Sequence, residues 1–142
     1  MKRITYGALL LCVGLGLAGV TPRLGAAQRK APPGGAYKKA SVLFPPLPDF
    51  LPGLGTLYVD PATAPAGPYL AYDRQGNLVN TIYMITLKDM NAQKAIAGLK
   101  SAPNQRVDHV DAVYVAGHPG LAEPHYHFIL WYISPAKAAA LK

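Results

Sequence analysis

His109, His118, His125 and His127 are the chain's four histidines, and all fall between positions 109 and 127, where Asp108, Asp111 and Glu123 are interleaved with them. Neutral imidazole is a good donor to Zn, Ni, Cu or Fe, and a nearby carboxylate can orient it from behind. The spacing therefore nominates a divalent transition-metal site made of His118, His125 and His127, with His109 and Glu123 in support. Two other uses fit the same residues. Histidines at a strand end can form a structural hydrogen-bond network with Asp108, Asp111 or tyrosine hydroxyls, and an imidazole can act in acid–base catalysis.

The elements around the histidines must be strands. In residues 107–115 the two-residue period places His109 and Asp111 on one face with Val113 and Val115. In residues 124–133, His125 and His127 share a face with Ile129, Trp131 and Ile133, and Tyr126, Phe128, Leu130 and Tyr132 make the opposite face. If these strands pair through the loop 116–123, His118, Glu123, His125 and His127 meet at one end of the hairpin, while His109 and Asp111 lie deeper. An x-His-x-His-x strand resembles the way cupin-type barrels present two ligands, although the glycine-and-acid pattern that follows in that motif is replaced here by apolar and aromatic residues. The aromatic face has two readings, core packing and a subunit interface.

Other chemistries find little purchase. Ser41, Ser101 and Ser134 are the only serines, and each sits at a loop or cap position. The Gly117–Gly120 stretch lacks the Lys-Ser/Thr of a phosphate-binding loop, and Gly53-Leu54-Gly55 lacks the strand–turn–helix setting of a dinucleotide site. No catalytic or cofactor-binding residue is assigned, and the chain reads more readily as a non-enzyme.

The remaining elements follow from patterning. Short strands are expected at residues 56–59 and 68–72. A turn at Asp73-Arg74-Gln75-Gly76-Asn77 leads into a strand at 78–87 that is apolar on both faces and hence central. Asp89 is expected to cap a covering helix over 90–97, and Ser134-Pro135 to start a short terminal helix over 136–141. The order predicts an α+β domain over residues 55–142, built on a mainly antiparallel sheet or partly open barrel. Residues 28–54 read as a Pro/Gly-rich segment whose first part, 28–40, is a disordered basic arm. Its second part, carrying Val42, Leu43, Phe44, Leu47, Phe50 and Leu51, lies extended along the body or a neighbour.

Charge narrows the partners. The chain has 142 residues and a formal charge of +7, but Lys2, Arg3 and Arg23 lie in the first 27 residues and Arg29, Lys30, Lys38 and Lys39 in the next dozen. From residue 40 onward seven basic residues face seven acidic ones. A neutral body argues against a surface that tracks phosphates, so no nucleic-acid partner is expected.

Residues 1–27 have the plan of a secretory signal: Lys2-Arg3, the apolar run 4–20, Thr21-Pro22, and small residues ending at Ala27. An uncleaved membrane anchor is the rival, because the run approaches spanning length. Four glycines in the run and the small-residue site favour cleavage. Export to the periplasm or beyond is thus expected, with no stable membrane insertion after cleavage. The only cysteine, Cys12, would be removed with the segment.

The string Val107-Asp108-His109-Val110, then Tyr114, Gly117-His118-Pro119 and Pro124-His125, resembles a family of small exported bacterial proteins carrying a domain of unknown function. The family includes a Thermus protein from an extracytoplasmic-function sigma factor regulon. Many members follow Pro-His with an Asp two residues on and a His two further, where this chain has His127 and Ile129. The resemblance covers roughly residues 55–133 and implies an exported protein that assembles into a ring-like homo-oligomer, without an established reaction. The expectation is an exported, non-catalytic, self-associating envelope protein with a stress-related role, and the alternative is a histidine-cluster metal-binding protein or cupin-like metalloenzyme.

Overall fold

The structure, a computed structural model, describes residues 29–142. The expected signal segment and Cys12 lie outside the described residues. The chain forms a six-stranded antiparallel sheet: β1 (Lys38–Lys39), β2 (Thr56–Val59), β3 (Tyr69–Tyr72), β4 (Leu78–Thr86), β5 (His109–Val115) and β6 (His125–Trp131). The strand order is β1-β2-β3-β4-β6-β5, an open α+β sheet rather than a closed barrel. Helical turns are short: α1 (Ala40–Leu43), α2 (Leu87–Asn91) and α3 (Pro135–Ala139). Among the described residues no helix is long and apolar enough to cross a membrane.

β4 lies between β3 and β6 and is buried along most of its length, as its two apolar faces require. One face of the sheet carries Leu57, Val59, Tyr69, Ala71, Ile82, Met84, Ile129 and Trp131 in a single buried cluster. The segment 43–54 packs its Leu43, Phe44, Leu47, Leu51 and Leu54 against that cluster, so it covers the body of its own chain. The opposite face buries Leu70, Tyr72 and Leu78 beneath Ala31, Tyr37 and Ala102.

Three expectations change. Residues 29–39 are tied to the body: Ala31 donates to the Gly76 carbonyl (2.9 Å), Leu78 donates to the Arg29 carbonyl (3.1 Å), and Lys38 and Lys39 pair with Val59 and Tyr58. Proline and glycine exclude a central strand here, but two residues suffice to add an edge. Second, the helix begins at Leu87, because the Thr86 hydroxyl accepts the Asp89 amide at 3.0 Å and caps three residues earlier than expected. It ends after one turn, Gln93 turns to φ 54°, and no α2 residue is buried, so it covers nothing. Third, α3 starts on Pro135 itself, the favoured first-turn position for proline.

Candidate metal centre

Strand pairing sets two of the histidines. His125 lies between Thr86 of β4 and Val115 of β5, and His127 between Met84 and Val113. Two residues apart on one strand, they stand side by side on the same sheet face. Both are buried, His125 completely. His118 arrives from the β5–β6 loop, where it exchanges two backbone hydrogen bonds with Leu121, at 2.9 and 3.0 Å. Leu121 is buried in the core and anchors this small turn. The turn requires glycine at its start: Gly117 has φ +146°, and a Cβ there would lie 2.4 Å from the Ala122 carbonyl oxygen.

The loop thereby brings a third imidazole over the other two. The Nε2 atoms of His118, His125 and His127 lie 3.1 Å (118–127), 3.2 Å (118–125) and 3.0 Å (125–127) apart. The far side of two rings is fixed by backbone. His118 Nδ1 donates to the Pro119 carbonyl (2.8 Å), and His125 Nδ1 donates to the Glu123 carbonyl (2.6 Å). A carbonyl oxygen only accepts, so Nδ1 carries the proton in both rings and each Nε2 presents a lone pair. Burial, and then the neighbouring His118 and His125, push the His127 imidazole down to about 4, which keeps it neutral at ordinary pH.

The other two nominated residues have different places. His109 pairs with Trp131, four positions along β5 from the Val113–His127 pair, or about 13 Å at strand rise. Its ring stacks on Trp131 (5.8 Å between centroids, 13° between planes), with Nδ1 2.9 Å from Asp108 Oδ1. Asp111, on the same face, accepts from Trp131 Nε1 at 2.8 Å, so this end of the hairpin is the hydrogen-bond network that the sequence also allowed. Glu123 serves the cluster through its main-chain oxygen. Only His118, His125 and His127 group as possible ligands among the described residues, with no carboxylate among them.

A cavity of about 130 Å³ adjoins the cluster, lined by His118, His127, Met84, Leu57, Tyr69 and residues of the 40–54 segment. No sequence signal pointed to it, because its walls come from segments whose pairing in space has no local pattern.

Fold and cluster together define a small open-sheet α+β domain with three converging imidazoles set into one face. No protein-family model matches the chain, and no curated protein does. Among solved structures, the crystal structure of the hypothetical protein TTHB210 from Thermus thermophilus is similar at 44% identity and a TM-score of 0.59, covering 67% of this chain and 92% of that one. The chain belongs to the same family as this hypothetical Thermus protein.

Proposed function

We propose that the protein binds a divalent transition metal through the Nε2 atoms of His118, His125 and His127. The observation that carries this reading is the 3.2 Å approach of His118 Nε2 to His125 Nε2, two acceptors facing one another. Without a cation between them their lone pairs repel. A proton can bridge two nitrogens, whereas three nitrogens converging on a point suit a metal ion. Nitrogens about 2.0–2.1 Å from a tetrahedral Zn ion stand about 3.3 Å apart, close to the 3.0–3.2 Å separations here. Three imidazoles suit Zn, Cu, Ni or Fe, and three protein ligands leave at least one coordination position for another group. Elemental analysis of purified protein tests the reading. One metal per chain is expected, lost in the His125→Ala/His127→Ala double variant, and a metal-free parent would sink it.

A second reading concerns assembly, and the edge strand β5 favours it. Val110 and Tyr114 are 56% and 53% exposed on one face of a strand with one side unpaired. Tyr126 and Phe128 of β6 lie half-buried beside them. A second copy of the chain is the occupant proposed for this surface, consistent with the ring-like assembly that the family resemblance implies. Export through the segment 1–27, and control by an extracytoplasmic-function sigma factor, complete the proposal as an envelope protein of stress conditions. Metal binding and assembly use different parts of the hairpin, so both can hold.

A further inference from the structure

The metal position proposed above sits in the wall of the 130 Å³ cavity, since His118 and His127 belong both to the cluster and to the cavity lining. The rest of the lining is almost wholly apolar, with Phe44, Leu51, Leu57 and Met84 among it. An apolar cavity of about 150 Å³ stays dry and accepts benzene, so this one has room for a compact body of that size or slightly less. Three neutral imidazoles leave a divalent ion's full charge uncompensated, and among the described residues no carboxylate joins the cluster. A charge set among apolar walls calls for an opposite charge in contact with it. Both requirements are met by one kind of molecule.

Resting on the metal reading, we propose that the open coordination position takes a small apolar monoanion, a single carboxylate on a body of about benzene size, with the carboxylate on the metal and the body in the cavity. Recognition is then divided: the metal selects the charge, and Phe44, Leu51, Leu57 and Met84 select the shape.

The test uses the purified protein loaded with Co(II), whose visible absorption reports changes in its ligands. Benzoate and formate offer the metal the same head group with and without a body. Benzoate should shift the cobalt bands and bind at least about tenfold more tightly than formate, the discrimination expected of a fitted apolar pocket. Leu51→Phe, at a half-buried wall position, should remove that advantage while formate binding and cobalt stoichiometry stay unchanged. Leu51→Ala should move the preference toward 4-methylbenzoate, and it decides the matter should the larger side chain prevent folding. Cobalt bound one to one with no preference for benzoate, or a preference indifferent to Leu51, would overturn the pocket proposal and leave the metal reading standing. A protein that takes up no cobalt would overturn both.

Discussion

His118 and His127 bring their Nε2 atoms to 3.1 Å from one another, one ring carried by a loop and the other by the middle of a sheet. The loop is rigid enough for this because Leu121 anchors it in the core and Pro119-Gly120 reverses the chain. The contact joins a fixed frame to a replaceable loop, and it sets the three clustered imidazoles apart from His109, which only shares their type.

Single substitutions should make that separation measurable. His118→Ala, His125→Ala and His127→Ala should each weaken Zn or Co binding by about a hundredfold or more, as the loss of one of three ligands implies. His109→Ala should leave affinity within about threefold, because His109 stacks on Trp131 at the other end of β5. Competition against a chelator of known affinity measures both, and equal losses at all four positions would contradict the assignment.

Acid should destabilise the metal-free protein. Unfolded, the His127 imidazole titrates near 6.5, and in the fold it is pushed down to about 4. Between those values the unfolded chain holds the extra proton, so stability is complete above about pH 6.5 and declines as pH falls toward 4, by at most about 3 kcal/mol. Urea unfolding of chelator-treated protein at several pH values should show this slope, flattened in His127→Gln. A variant profile as steep as the parent's argues against it.

Gly117→Ala should damage stability and metal binding together. The left-handed φ and the approach to the Ala122 carbonyl leave no room for a Cβ. A cost of about 1–3 kcal/mol is expected, with weaker metal binding because His118 rides on the displaced turn. Thermal melts with and without metal read both effects. Full affinity in a destabilised variant would show that the turn does not position His118.

Tyr132→Phe should loosen the segment over the second core. The Tyr132 hydroxyl meets Thr81 Oγ1 at 2.6 Å and accepts the Ala102 amide at 2.7 Å. Losing it leaves buried partners unsatisfied, at a cost of about 1–3 kcal/mol. Hydrogen exchange should quicken at Ala102 and its neighbours while the amides of β4 and β6 stay protected.

Charge on the edge strand should prevent self-association. Val110→Lys/Tyr114→Glu replaces exposed apolar groups, so the fold should change by no more than about 0.5 kcal/mol. Light scattering should find a smaller particle than the parent. A mass equal to an assembled parent's would place the contact elsewhere.

Much of the fold could be read from the chain because its strands are patterned locally. Thr56–Val59 stands at its expected position, and the aligned faces of His109–Val115 and His125–Trp131 follow from a period of two. The helix expected over 90–97 starts instead at Leu87 because Thr86 is the cap and Asp89 is its partner three residues inside, and residue type alone does not rank two capping residues so close together. Among the histidines, sequence could place His118, His125 and His127 at one end of the hairpin. It could not supply the carbonyls of Pro119 and Glu123, since main-chain partners leave no mark on residue type. The tethering of Arg29 and Ala31 was hidden for the same reason.

Those two carbonyls bear on how the protein can change over generations. A histidine held from behind by an aspartate loses its partner with a single codon change, whereas an oxygen of the main chain is inherited with the loop itself. Position 123 is thus free to drift in side chain while the ring of His125 keeps its tautomer, and position 119 is constrained by the turn and the cavity wall rather than by the ring of His118. Insertions or deletions between Gly117 and Pro124 are the changes that would extinguish the site, so loop length is the trait to follow when tracing it through relatives.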